Sequence, residues 1–313
     1  KPMNIEQNVP LHDKNWFGTG GPARFFCAPS TGVAFAQALA FARDNGRDVF
    51  VLGRGANILI SDDGFDGLVI RPALNDIIVD QAKAQVTAGA GVDIQTLIDR
   101  CLDAQLCGLE EFSGIPGSVG GAVYINIHYF QFLLSQFLVS ARVIDRATGV
   151  ISTVDTTWFG FGYDQSKLFE KQYFLVDATF QLKPTDALGA AYAKGRRDEI
   201  IRHRLQRYPR SNTCGSFFRN FLSGEVPFEI EGKKVPFVAY YLDKIGVKGA
   251  LKVGGAVVSY QHANMLVTQP GATSTDVINL ARAMQQLVHE KFGITPHAEC
   301  QLVGFKQNPF DLR

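Results

Sequence analysis

The chain has 313 residues, 46% of them hydrophobic and 19% charged, with 31 Lys and Arg against 30 Asp and Glu. That length suits two or three modest domains, and that apolar share excludes a disordered chain. The near-neutral balance argues against a dedicated nucleic-acid binder, which carries a basic surplus.

The five cysteines (Cys27, Cys101, Cys107, Cys214 and Cys300) are odd in number and include no CxxC. This argues against a disulfide framework or a zinc site and points to reduced thiols in a cytoplasmic protein. The N-terminal run has no apolar signal-peptide core. The longest uncharged stretch, 112–141, contains Asn126, His128, Gln131, Ser135 and Gln136. A membrane span needs about 20 predominantly apolar residues, so this stretch reads as buried backbone near a ligand.

In chain order, residues 30–46 predict a helix. Ser30 or Thr31 can cap it, Phe35, Leu39 and Ala42 follow helical spacing, and Asn45-Gly46 ends it. Residues 49–52, 58–60 and 68–70 predict short strands between glycine loops. The run from 85 reads as strand, turn, helix, with Asp93 as cap and Leu97, Ile98 and Cys101 buried. A glycine loop at 114–121 follows, then a hairpin turning near Ala147–Gly149, then a strand closed by Pro184. Residues 187–207 predict a helix rich in Ala and Arg. Within 194–219 stand eight basic residues against two acids. Two strand-like runs near 253–268 precede an amphipathic helix at about 274–292. Thr275 can cap it, and Val277, Leu280, Ala281, Met284 and Val288 form its stripe. The run HAECQLVGF alternates like a strand.

Glycine is concentrated in three loops: Gly53-Arg54-Gly55-Ala56-Asn57, Gly89-Ala90-Gly91, and 114–121, which has four glycines in eight residues. Successive N–H groups in such turns form anion nests, and the missing Cβ lets a pyrophosphate approach. None is a Rossmann fingerprint, because the first leads into a strand and lacks the third glycine, and no Walker A motif is present. Each alone could be a simple turn. Together they favour a nucleotide cofactor.

The runs VLGRGANILISDDGFDGLVI, AGAGVDIQTLI, SGIPGSVGGAVYIN, GYDQS, CGSFFRN, KVGGAVVSYQHANMLV and HAECQLVG occur in that order. Together they resemble the UDP-N-acetylenolpyruvoylglucosamine reductase family, in the vanillyl-alcohol-oxidase-like flavoprotein group, over essentially the whole chain. The resemblance implies an α+β protein. A two-lobed FAD-binding domain of the vanillyl-alcohol-oxidase type (1–72 and 73–185) would precede an α+β substrate-binding domain (186–293). A terminal strand (294–313) carrying Glu299 would return toward the FAD-binding part.

It also implies noncovalent FAD, since the first loop lacks the histidine that related oxidases use for attachment. The FAD-contacting residues would be Gly53, Arg54, Gly55, Ala56, Asn57 and Ile58, with Ile115, Pro116, Gly117, Ser118, Gly120, Gly121 and Asn126. The implied reaction uses NADPH to reduce the enol ether of UDP-N-acetylglucosamine enolpyruvate, giving UDP-N-acetylmuramate for peptidoglycan. It needs a proton donor for the carbon beside the carboxylate and groups that hold the developing charge. Ser216 matches the family's proton donor, although by composition alone it is a turn serine. Glu299 matches the glutamate that stabilises the enolate, although by composition alone it is a strand carboxylate facing solvent. In a desolvated pocket its pKa would rise, letting it donate a hydrogen bond. Tyr163, Arg204, Arg207, Asn220 and Asn264 match substrate-contacting positions, the arginines suiting a diphosphate. His262 reads as structural. The implied protein is a cytoplasmic monomer that binds neither nucleic acid nor membrane.

Two runs depart from the pattern. Where the family usually has Gly-Tyr-Arg-x-Ser, this chain has Gly162-Tyr163-Asp164-Gln165-Ser166, which reverses a charge expected to meet the substrate carboxylate. Lys167 or an arginine of the basic stretch could replace it, or turnover is impaired. After Asn126 the family's small, glycine-containing run is replaced by Ile127-His128-Tyr129-Phe130-Gln131. Two other readings stay open: an FAD oxidase of the same fold group, and a noncatalytic UDP-sugar or flavin-binding homologue.

Overall fold

A computed structural model describes residues 3–311. The chain divides into two compact units that do not follow sequence order. One comprises the chain up to Asn8, Arg24–Arg54 and Asp66–Arg204. The other comprises Val9–Ala23, Gly55–Phe65 and the chain from Leu205 onward.

The centre of the first unit is a five-stranded antiparallel sheet. Its strand order is Ile151–Asp155, Leu138–Asp145, Tyr173–Gln181, Gln85–Gly89, Ile77–Asp80. The expected hairpin is present, with Ile144 opposite Ile151 at its closed end. Alternation along the sheet buries Val86, Ala88, Val143, Ala178 and Phe180 beneath the helices Ile94–Asp103 and Val119–Ile125. Helix Ile94–Asp103 starts where its sequence says it should. Asp93 accepts hydrogen bonds from the backbone of Gln95 and Thr96, and Leu97, Ile98 and Cys101 are buried. A second layer joins the helix Gly32–Asp44, capped by Thr31, to strands Val49–Val51 and Phe65–Ile70, which run parallel. Helix Ala187–Arg207 matches the expected bounds.

In the second unit, strands Lys252–Val253, Ala256–Val258 and Leu266–Thr268 form an antiparallel sheet. Against it lies the helix Ser274–Phe292, whose Val277, Leu280, Ala281, Met284 and Val288 are buried. The N-cap is Thr273, not the expected Thr275. Thr273 and Asp276 form a reciprocal capping box. Thr275 lies inside the first turn, and its hydroxyl donates to Asp62. Asp62 also accepts from the backbone N–H of Ser274 and of Thr275, both at 2.9 Å. An acid from a distant loop therefore satisfies two of the helix's unpaired N-terminal donors.

The C-terminal strand Gln301–Val303 pairs in parallel with Ile58–Ile60. Among the described residues, no helix is long and apolar enough to cross a membrane. Burial pushes the Cys27 and Cys101 thiols up to about 12, so both are apolar core groups.

Asp62→Ala should lower the unfolding free energy by about 1–2 kcal/mol, the usual cost of losing an N-terminal cap. Urea denaturation measures this, and an unchanged midpoint would show that Thr273 alone caps the helix.

Candidate active site

In the first unit, the 114–121 loop is fitted against the segment 89–93 by backbone hydrogen bonds. Ile94 N donates to Gly117 O, Val119 N to Val92 O and Gly120 N to Ala90 O, at 2.8–3.0 Å. Ser118 caps the helix Val119–Ile125 by accepting from Gly121 N. Gly53 lies close by: a Cβ there would stand 2.5 Å from Ser118 Oγ, so a side chain would push on the hydroxyl that caps the helix. Gly53 O accepts from Arg71 Nε. The Arg54 guanidinium is 3.1 Å from Asp93 Oδ2, which sets it at the edge of the same loop pair. Gly117 has φ +139°, and nothing lies within 4 Å of where its Cβ would be. That open glycine backbone beside a guanidinium is the surface a dinucleotide diphosphate requires, so the residues present fit FAD.

The second glycine loop does a different job. Gly89 N donates to Asp76 O, Ala90 N to Val176 O and Gly91 N to Leu74 O. Cβ atoms at Gly89 and Gly91 would meet the carbonyls of Leu74 and Pro72 at 2.1 and 2.5 Å. Here glycine permits close packing of the chain on itself, and these amides are committed to that packing.

Asn126 is 1% exposed and ends its helix in the left-handed conformation, φ +54°. Its amide nitrogen donates to Gly162 O, and its carbonyl oxygen accepts from Ser135 N. It thereby anchors the turn that presents Tyr163. Ile115 and Pro116 lie between Gly114 and Gly117, with Ile115 O accepting from Gln95 Nε2 at 2.7 Å. The Arg204 side chain covers Gly114, where a Cβ would stand 2.8 Å from its Cδ.

Much of the basic stretch is ion-paired. Lys194 pairs with Asp103, Arg196 with Glu111, Arg197 with Asp99 and Arg202 with Glu199. Arg197 also donates to Gln95 Oε1, which accepts from Gly114 N as well, so this arginine braces the 114–121 loop. The Lys167 ammonium sits 4.8 Å from the Trp158 ring centroid, a cation–π contact.

In the second unit, Gly55 has φ +69°, with Lys14 O and Asn15 Cα where a Cβ would be, and its carbonyl accepts from Trp16 N. Ala56 and Asn57 lead from it into Ile58–Ile60, and Asn57 O accepts from Gln301 N. The run CGSFFRN lies between two other segments. Ser216 pairs with Met265, and Phe218 pairs with Ala298. Glu299 N donates to Phe217 O at 2.7 Å. The two candidate catalytic residues are therefore on neighbouring backbone segments, both half-buried, beside the buried Phe217, Phe218, Cys214 and Cys300.

Asn264 holds this arrangement and was recognised from sequence only as a substrate-contact candidate. Its side-chain oxygen accepts from Phe218 N and its amide donates to Phe218 O, as a neighbouring strand would. His262 is half-buried and its pKa is lowered by desolvation. The neutral ring accepts from Asn264 N through Nδ1. Asn220 accepts from Val238 N. Arg207 lies over the Tyr208 ring. Arg219 makes a two-pronged pair with Glu225, both contacts 2.8 Å, which holds that carboxyl at about 2.

Two family models match the chain. One is described as FAD binding domain, over residues 23–155, and one as UDP-N-acetylenolpyruvoylglucosamine reductase, C-terminal domain, over residues 206–303. The chain is 34% identical to the UDP-N-acetylenolpyruvoylglucosamine reductase of Solibacter usitatus, covering 96% of this chain and 97% of that one. It is 31% identical to the enzyme of that name from Clostridium botulinum, covering 97% and 94%. The solved UDP-N-acetylenolpyruvylglucosamine reductase of Thermus caldophilus superposes with a TM-score of 0.77 at 28% identity, covering 96% and 99%.

Asn264→Ala should destabilise the protein by about 3 kcal/mol, since it leaves the buried N–H and C=O of Phe218 unpaired. Urea denaturation tests this. A loss below 1 kcal/mol, on the order of one ordinary surface change, would show that another group replaces the amide.

A second expectation concerns acid. Glu225 titrates at about 2 in the folded chain, against an ordinary 4.5. Its contribution to stability is therefore present above the ordinary value and lost as pH falls toward 2. Arg219→Gln should remove that component, so near-neutral and acidic urea midpoints should lie closer together in the variant than in the parent.

Proposed function

The chain belongs to the UDP-N-acetylenolpyruvoylglucosamine reductase family, and from that membership we propose that Ser216 and Glu299 carry its proton chemistry. The protein is an FAD-dependent, NADPH-using oxidoreductase. It reduces the enolpyruvyl ether of UDP-N-acetylglucosamine enolpyruvate to UDP-N-acetylmuramate, a peptidoglycan precursor. The observation that carries this reading is the coverage of near full-length relatives at 31–34% identity.

Bound FAD would supply the hydride chemistry that links NADPH to the vinyl carbon. Residues 53–58 and 115–121 are the proposed backbone that holds it. Gly117 and Gly121 leave the approach open, Gly53, Gly55 and Gly120 let the chain pack closely, and Arg54 supplies positive charge. Asn126 acts beneath this surface by fixing the chain that follows it.

The carbon beside the substrate carboxylate becomes electron-rich as reduction proceeds and must take a proton. Ser216 is the proposed donor. Its backbone is held by the pairing with Met265 and by the Asn264 clamp one position beyond Phe217. The Phe217 and Phe218 rings are core groups that make the segment rigid and apolar on one side. Glu299 is fastened to this segment through Phe217 and is the proposed group facing the enolate. Tyr163, Arg204, Arg207 and Asn220 are the proposed substrate contacts, and Asn264 positions Ser216. The five free thiols support a protein that works in the cytoplasm.

Stopped-flow absorbance of the yellow holoenzyme separates the two half-reactions. Ser216→Ala should leave reduction by NADPH largely intact and slow reoxidation by the enolpyruvyl sugar about 10²–10⁴-fold, the usual range for a lost acid catalyst. Glu299→Gln should also damage reoxidation selectively. Equal losses in both half-reactions would remove Ser216 from the role of donor.

A further inference from the structure

The two runs that depart from the family pattern meet within one unit of this chain. His128 Nε2 is 3.0 Å from the Tyr163 hydroxyl, and the two rings lie 4.5 Å apart between centroids. On its other side, His128 Nδ1 is 3.3 Å from Asp164 Oδ1. A hydroxyl, an imidazole and a carboxylate therefore stand in series. Tyr163 is 62% exposed, whereas the Asp164 side chain is only 19% exposed. The open end of the series is the hydroxyl, and the covered end is the carboxylate.

The backbone is arranged for this contact. Gly162 and Gln165 pair across a tight turn whose two tip residues are Tyr163 and Asp164. Asp164 is in the left-handed region at φ +51°, where Asp is tolerated better than a longer side chain. Asn126 holds this turn by donating to Gly162 O and, two residues later, the chain reaches His128. One buried asparagine thus sets both sides of the contact.

We propose that Asp164 and His128 are positioning residues for Tyr163, and that the proton on His128 decides whether the Tyr163 hydroxyl donates outward to an anionic oxygen of the substrate. The carboxylate beside Nδ1 favours a proton on that nitrogen. In the neutral ring Nε2 then holds a lone pair and takes the Tyr163 hydroxyl proton, so the tyrosine shows lone pairs to an approaching anion. In the protonated ring Nε2–H donates into the tyrosine oxygen, and the hydroxyl proton turns outward with a positive charge directly behind it. The cation expected at residue 164 is thereby supplied by its neighbour.

Other charged groups lie on the elements around His128. Glu110 and Glu111 are on the turn Leu109–Phe112 packed against the His128–Tyr129 strand. Glu111 is paired with Arg196, and Glu110 accepts from Gly108 N. Asp164 is the carboxylate in contact with the ring.

The identity of the anion rests on the reductase reading, so two readouts are needed. The first is the pH dependence of reoxidation of NADPH-reduced holoenzyme by the enolpyruvyl sugar. KM should rise with pH through an inflection. His128→Gln should abolish the inflection. Tyr163→Phe should raise KM about tenfold on the acidic side, the value of a charge-assisted hydrogen bond, with a smaller effect on kcat. An inflection that survives His128→Gln unchanged overturns the proposal. Binding of UDP-N-acetylglucosamine, which has the diphosphate and no carboxylate, assigns the anion: the same inflection points to the diphosphate, and none points to the carboxylate.

The second readout is ¹⁵N NMR of histidine-labelled holoenzyme without substrate. It should show the His128 proton on Nδ1 and a changed ring signal in Asp164→Asn. A proton on Nε2 of the neutral ring, or no change in the variant, overturns the proposal. If the parent enzyme is not reoxidised by the enolpyruvyl sugar at any pH, the reductase reading fails. The NMR result still decides the series.

Discussion

Residues 58–60 lie in register with residues 301–303, Ile58 beside Gln301 and Ile60 beside Val303. This parallel pairing joins the end of the first glycine loop to a strand that begins just after Glu299 and Cys300. From Glu299 the backbone reaches Phe217, and from Phe218 it reaches Asn264. The candidate proton donor and the candidate carboxylate are neighbours because of this succession of backbone bonds. Backbone groups buried in this way must be paired, which makes the arrangement insensitive to most side-chain changes and sensitive to a few. Asn264 is one of the few, because it is the side chain that stands in for a missing strand.

Local signals were legible in the sequence wherever a residue acts on its own neighbourhood. Asp93 and Thr31 cap the helices they were expected to cap, and the helix Ala187–Arg207 has the bounds its composition suggested. The Val277–Val288 stripe is buried as its spacing implied. What could not be read was any role fixed by a distant partner. Thr275 looked like a cap, yet Thr273 has the capping geometry, and Asp62 claims Thr275 from a loop far away in sequence. The basic residues of 194–219 share a composition, but Lys194, Arg196 and Arg197 are neutralised by Asp103, Glu111 and Asp99, acids distant in sequence. Asp164 reads in sequence as a reversed charge, and only the fold places His128 beside it.

The three glycine loops show the same division. They share a composition and differ in what surrounds them. Residues 89–91 are glycine-rich because the segment 72–76 presses against them. Gly117 is glycine in an open place, where its backbone conformation is the constraint. Composition identified the backbone that must be bare. Only the fold distinguishes backbone left bare for packing from backbone left bare for a ligand.

The order in which the chain is made gives the 58–60 pairing a further consequence. Segment 55–65 emerges in synthesis well before residues 301–303, its strand partner. Until then Ile58–Ile60 presents an unpaired apolar edge, of the kind that recruits other chains. The protein therefore depends on a long-range closure that stays open while the whole intervening chain is made. A chain truncated before residue 301 would also lack the strand that closes this edge. The closing of this edge and the approach of residue 299 to Phe217 therefore wait on the same late segment of chain.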